Sequence, residues 1–394
     1  MRVPGALKRR ALAVGGALVV GGLLAEGIAR LLAPSGGEDL LFGAPDAMPQ
    51  GLYRESRALG SEPVPGFRGE AASMGYRVPV RINGVGLRGG EPGAGPRWLA
   101  VGDSFTIAVQ VAEEQTFEAR LGPALGVEVL NAGVDGYSTV QATRRYLALD
   151  DVVRAEAVIL TYFLGNDFVD NERIPHLLDA GPPPPGAMGH PRVVAASTPL
   201  TRFLLRHSMA YAYARVARKR AALTRADDFD TRRFRDELSI FGAGGAERLA
   251  TLSPPTRRAL VDLRDSTRAR GDRLLVAVAP PSFALDPERA RKTLATFGLD
   301  DPRAASDRPS PRRPSSKDGR EGEPSATPPP SLDAPRRAAL AILGELGIAT
   351  CDLTPPLAES VARGDHPYFR FDGHWTSEGH RVVAEALRAC LARP

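Results

Sequence analysis

Short, predominantly apolar runs recur along the chain at Trp98–Gly102, Val127–Ala132, Ala157–Phe163, Arg273–Ala279 and Ile348–Asp352. Between them lie stretches with helical spacing, roughly Thr116–Leu125, Thr139–Leu149, Pro255–Arg270, Pro287–Phe297, Ala334–Leu346 and Ser377–Ala392. A strand that is apolar on both sides must be covered on both, and strand–helix alternation supplies that cover in a mostly parallel sheet. Open sheets of this kind form their sites beyond the carboxyl ends of the strands. The residues that follow each run are therefore where chemistry is expected.

With 394 residues, 43% apolar and 25% charged, the chain has enough material for one large α/β core. Its N-terminus departs from that composition. Arg2, Lys8, Arg9 and Arg10 precede the uncharged run ALAVGGALVVGGLLA, and apolar character resumes after Glu26 up to Ala33. Such a start fits an uncleaved anchor or a removed signal. The run to Ala33 is about the ~20 residues that cross a bilayer, and Glu26 and Arg30, one helical turn apart, fall near its far interface. No convincing small-x-small cleavage site follows. Residues 1–33 are therefore read as a single N-terminal membrane helix, its basic end cytoplasmic and the remainder exported.

Residues 34–96 read as a Gly/Pro/Asp-rich stalk and a small β-hairpin, the latter marked by alternating Tyr76, Val78, Val80 and Ile82 and an Asn83-Gly84 turn signal. Residues 97–394 form the main domain, with two insertions. The first, at about 170–242, holds GPPPPG and then LTRFLLRHSMAYAYARVARKR. The second motif reads as an amphipathic helix: a lid, a membrane-surface contact on its basic side, or a helix packed on the core. The other insertion, at about 300–334, is rich in Pro, Ser and charge and is expected to be disordered. A net charge of +5 with scattered Arg argues against a nucleic-acid partner. No CxxC or HExxH spacing supports a metal, and no cofactor is implied. Cys351 and Cys390 can pair in an exported protein or remain two buried thiols.

Ser104 follows the first run, in Gly-Asp-Ser, just before a helix. A serine there has an exposed hydroxyl and an amide near a helix N-terminus, which favours a developing oxyanion, although Asp and Ser also serve as plain helix caps. NAGVDGYST follows the second run and offers backbone donors at Gly133 and Gly136, where the absent Cβ permits close approach of a substrate oxygen; a simple glycine turn would look the same. LTYFLGNDF puts Asn166, an amide donor or a turn residue, after the third. FDGHWTSEGH sets Asp372 and His374 together ahead of the last helix, a candidate base with an orienting carboxylate, although a lone histidine is usually structural. His380 is assigned to packing or surface.

Gly102-Asp103-Ser104-Phe105, Asn131-Ala-Gly133-Val-Asp-Gly136, Gly165-Asn166-Asp167 and Asp372-Gly-His374-Trp375 occur in the order of the four sequence blocks of the SGNH/GDSL hydrolase superfamily, which the chain resembles from about Arg97 to Leu391 outside the two insertions. The resemblance implies a flavodoxin-like three-layer α/β/α sandwich with a mostly parallel sheet. It also implies a Ser104–His374–Asp372 triad and an oxyanion hole formed by the Ser104 amide, Gly136 and Asn166. One departure is informative. The usual pattern places Asp three residues before His, with Pro following, whereas Asp-x-His-Trp is similar to the alginate-acetylation branch, whose members are exported or membrane-anchored and move acetyl groups on polysaccharide.

The expected function is thus an exported, membrane-anchored serine esterase that cleaves acetyl or other short acyl esters of a polysaccharide or lipid-linked glycan. The alternatives are an O-acyltransferase modifying surface polysaccharide and a non-catalytic binding protein on the same fold.

Overall fold

The computed structural model describes residues 5–32, 48–73, 76–179, 229–300, 331–369 and 372–392, together with 200, 203–204, 207–211, 213–214 and 218. Most of the insertion expected to be disordered, the GPPPPG loop and stalk residues 33–47 lie outside the described residues. The chain opens with α1 (Gly5–Leu32), which carries a 20-residue apolar stretch, Leu12–Leu31, long enough to cross a membrane. Two antiparallel hairpins follow, β1 (Tyr53–Ser56) with β2 (Gly60–Pro63) and β3 (Arg68–Ser73) with β4 (Tyr76–Arg81).

The centre is a parallel five-stranded sheet of β5 (Arg97–Val101), β6 (Glu128–Asn131), β7 (Ala157–Phe163), β8 (Arg273–Ala279) and β9 (Ala349–Asp352), in the order β6-β5-β7-β8-β9. Counted from its own first strand the order is 2-1-3-4-5, the flavodoxin-like doubly wound arrangement, with its switch point between β5 and β7. Helices α2 (Ser104–Ile107), α3 (Phe117–Leu125), α4 (Thr139–Val153), α5 (Asp167–Asp179), α6 (Phe229–Ser239), α7 (Gly245–Arg270), α8 (Pro287–Thr296), α9 (Ala334–Glu345), α10 (Thr354–Ala362) and α11 (Ser377–Leu391) accompany the strands. The α/β/α class expected from the alternating runs is the one observed.

The sheet divides its side chains with the period of two that a pleated strand imposes. Leu99, Val101, Val158, Leu160, Val276 and Val278 face one side, where Tyr146, Leu252, Leu263 and Leu343 from α4, α7 and α9 complete a mainly aliphatic layer. Trp98, Ala100, Ile159, Ala277 and Cys351 face the other, where Phe117 and Leu121 of α3, Val383 and Leu387 of α11, and the loop residues Tyr368 and Trp375 pack. Cys351 on β9 and Cys390 on α11 form a disulfide.

Three local readings are corrected. The hairpin that includes Tyr76, Val78 and Val80 turns between β3 and β4, before Asn83-Gly84. Asn83 instead folds its own side chain onto the next residues, its Oδ1 accepting from the N–H groups of Val85 and Leu87, and closes a single bridge between Ile82 and Arg88. The helix read from Pro255 begins at Gly245 and runs through Pro254 and Pro255. Buried Leu249 and Leu252 explain its extension, because packing a helical face outweighs the poor propensity of a proline pair. α10 falls outside the helical stretches expected from spacing; its Pro355 and Pro356 resemble loop signals but occupy the first turn, where proline loses no hydrogen bond.

Candidate active site

The strand β5 delivers its chemistry through a tight turn. Gly102 has a φ of +145°, and a Cβ there would lie 2.5 Å from Thr106 Oγ1 and 3.0 Å from the Thr161 carbonyl, so glycine alone fits. Asp103 then caps α2, its Oδ1 accepting the Phe105 N–H at 2.9 Å, and Ser104 opens the helix. This short helix is held from below. Buried Arg88, on the segment after β4, donates to the carbonyls of Ile107, Ala108 and Val111, and Asn131 Nδ2 donates to the Thr106 carbonyl and, at 2.9 Å, to Glu118.

Gly133 belongs to the same bracing. A Cβ on it would stand 2.3 Å from the Ile107 amide, and its own N–H donates to Asn131 Oδ1 at 3.1 Å. The open space expected at Gly133 for a substrate oxygen is therefore filled by α2. Gly136, in the same loop, has a φ of +71° and stands on the carboxyl side of β6. Asn166 stands on the carboxyl side of β7, directly ahead of α5; its Oδ1 is buried with no hydrogen-bond partner among the described residues.

Asp372 and His374 reach this edge on a loop secured at several points. Tyr368 and Trp375 pair as an antiparallel bridge, Phe369 N–H donates to the His374 carbonyl at 2.8 Å, and Tyr368 Oη donates to the Pro280 carbonyl beyond β8 at 2.8 Å. Gly373, at φ +81°, makes the bend between the two polar residues. Trp375 is 1% exposed and sits edge-on to Phe105, ring centroids 4.8 Å apart, with Phe117 and His380 around it. His380 is buried packing: its Nδ1 accepts the Phe117 N–H at 3.2 Å, and burial, with nearby Arg88 and Arg120, keeps it well below the usual histidine range and neutral.

These elements bring Ser104, His374 and Asp372 into one hydrogen-bonded row. His374 Nε2 lies 2.8 Å from Ser104 Oγ, and His374 Nδ1 bonds Asp372 Oδ1. The far oxygen of Asp372 accepts from Tyr76 Oη at 2.7 Å, and the Tyr76 ring packs on Phe369. Sequence reasoning placed Tyr76 in a hairpin only; nothing in its spacing points to a partner 296 residues away. Burial works against ionised Asp372, but His374, Tyr76 and a backbone N–H hold its carboxyl below the ordinary value. Burial likewise disfavours charged His374, and the carboxylates of Asp372, Asp135 and Asp103 more than offset it, leaving the imidazole above its ordinary value.

Asp135, inside the NAGVDGYST stretch but not singled out there, is a second carboxyl whose charge acts on His374; burial pushes it up to about 6. Behind the row, burial pushes Asp103 up to about 7 and Asp167 well above its ordinary value, the charge of Asp103 adding to the effect on Asp167. A hydroxyl in contact with an imidazole whose other nitrogen meets a carboxylate is the arrangement needed to activate an oxygen nucleophile.

Residues 320–394 match the family described as SGNH hydrolase-like domain, acetyltransferase AlgX. This part of the chain carries an SGNH hydrolase-like sequence. The match includes the Asp372-Gly-His374-Trp375 block, whose spacing resembles the alginate-acetylation branch, while the other three blocks lie outside it. Among solved structures, the chain is similar to TesA, with 12% identity, 75% of this chain and 98% of that one covered, and a TM-score of 0.36. It is also similar to an acetylxylan esterase, Axe2, from Geobacillus stearothermophilus, with 12% identity, 76% and 95% covered, and a TM-score of 0.33. A third is a GDSL-like lipase from Bacteroides thetaiotaomicron, with 10% identity, 75% and 87% covered, and a TM-score of 0.34. No curated protein matches the chain.

Proposed function

We propose that this protein is a membrane-anchored serine esterase of SGNH type that removes acetyl or other short acyl groups from a polysaccharide or lipid-linked glycan. The observation that carries the reading is the row from Ser104 Oγ through His374 to Asp372. In this reading His374 Nε2 takes the Ser104 proton as Oγ attacks the ester carbonyl, while Asp372 fixes the tautomer and orientation of the ring. The Ser104 amide, the Gly136 amide and the Asn166 side chain hold the oxyanion. Collapse of the tetrahedral adduct expels the alcohol, which takes the proton from His374, and leaves an acyl group on Ser104. Water, deprotonated by the same imidazole, then releases the acid and restores the serine.

α1 serves as a single anchor with the catalytic domain on the exported side. Supporting this are the basic residues ahead of Leu12–Leu31 and the Cys351–Cys390 disulfide, a bond that persists in oxidising compartments. The match of residues 320–394 to an acetyltransferase family favours one second reading, in which a sugar hydroxyl replaces water and the enzyme transfers the acyl group.

The test is hydrolysis of p-nitrophenyl acetate by the full chain in detergent micelles. Turnover that disappears in Ser104→Ala is the expected result, and turnover unchanged by that substitution overturns the proposal. Adding neutral and acidic oligosaccharides separates the two readings, since transfer appears as a mass increase of the glycan at the expense of free acid.

A further inference from the structure

Glu26 stands within the apolar stretch of α1, where an ionised carboxylate is costly unless its oxygens are occupied. They are occupied by a distant part of the chain. Ser208 Oγ donates to one oxygen at 2.9 Å, the Met209 N–H to the other at 3.0 Å, and the Ala210 N–H to the first at 3.1 Å. Arg30, a turn further along α1, donates to Glu26 and, at 3.1 Å, to the His207 carbonyl. Residues 209–211 are helical, so the carboxylate of one segment caps the amides that open another.

This contact fixes a depth. From Glu26 to the end of the apolar stretch at Leu31 is about 7–8 Å along a helix axis. Where α1 spans a bilayer, residues 207–211 therefore lie at the hydrocarbon boundary, at the ~5–10 Å depth where amphipathic helices rest. The neighbouring surface suits that position. Leu200 and Phe203, both helical, are 65% and 57% exposed. The sequence from 200 to 226 contains no Asp or Glu and includes Arg202, Arg206, Arg215, Arg218, Lys219 and Arg220, a balance that favours anionic headgroups.

We propose that the described residues between Leu200 and Tyr213 dock on the bilayer that α1 crosses, clamped by Glu26, so that the catalytic domain lies against an anionic phospholipid surface. This rests on the reading of α1 as a membrane span. The consequence for substrate is that esters presented at the membrane surface are favoured over those in free solution.

The test uses the full chain in vesicles of phosphatidylethanolamine and phosphatidylglycerol that contain a doxyl-labelled phospholipid. Because Cys351 and Cys390 are paired, a single introduced cysteine can carry an NBD fluorophore, at Phe203→Cys for the docking surface or at Val20→Cys for the span. Both labels should be quenched, and adding Glu26→Ala should abolish quenching at position 203 while leaving position 20 unchanged. Quenching at 20 without quenching at 203 overturns the docking surface and leaves the anchor. Absence of quenching at both positions overturns both. Quenching at 203 that survives Glu26→Ala overturns the clamp.

Discussion

The two faces of the central sheet are built from different materials. One sets Leu and Val strand residues beneath α4, α7 and α9, with rings such as Tyr146, Tyr162 and Phe168 spread through a larger aliphatic layer. The other sets small residues, Ala100, Ala157, Ala277 and Ala279, beneath Phe105, Phe117, Trp375 and the α11 residues. Small strand residues leave room for rings, and rings have a preferred orientation to one another, so the second face fixes direction as well as supplying burial. Phe105 makes the point: it follows Ser104 in the chain and touches both His374 and Trp375, at centroid distances of 4.9 and 4.8 Å. Both sides hold the fold together, but only the second, through Phe105, registers the nucleophile against the base.

The contrast can be broken by mutation, beginning with the row itself. His374→Ala should cost ~10⁴-fold or more in ester turnover while the thermal midpoint stays near that of the parent, because the ring contributes direction rather than bulk to the core. Asn166→Ala should cost ~10²–10³-fold in kcat as an oxyanion donor is lost; an unchanged kcat would remove Asn166 from the site. The most direct comparison pairs Trp375→Ala with Leu263→Ala. Each should lose about 2–5 kcal/mol of stability in denaturant titrations. Below the unfolding transition, however, only the Trp375 variant should lose kcat, and equal losses in both would erase the distinction between the faces.

Smaller effects sharpen it. Tyr76→Phe should lower kcat by about 5-fold, the value of roughly 1 kcal/mol for one hydrogen bond, with KM unchanged because Asp372 is held but no substrate contact is lost. The pH profile should show the raised histidine. Base catalysis needs neutral His374, so kcat/KM should fall as pH drops through an apparent value above the ordinary ~6.5, earlier on the acid side than a free imidazole would cause.

Much of the frame was readable in the chain because buried parallel strands have to be apolar on both sides, and Ala157–Phe163 or Arg273–Ala279 leaves few other options. Ser104, Asp372 and His374 each stand where a strand or a loop meets a helix, but such positions suit plain caps equally well, and it is the order of the four blocks that groups the three. What escaped was tertiary. Tyr76 and Arg88 lie ahead of the first parallel strand and act on residues far along the chain, and no local pattern records such a meeting. Gly133, left open between a substrate-side donor and a simple turn, shows the same limit. A glycine that admits a substrate and one that admits a neighbouring helix have the same letter, and only the Ile107 amide 2.3 Å from its missing Cβ tells them apart.

The cross-link between β9 and α11 spans 39 residues, and the acid, the imidazole and Trp375 all fall within that ring. Closing a ring of this size removes ~4 kcal/mol of freedom from the denatured chain on a loop-entropy model. If the remainder of the domain comes apart, the half of the reaction centre that moves protons stays leashed to the last strand and has only a short way to return.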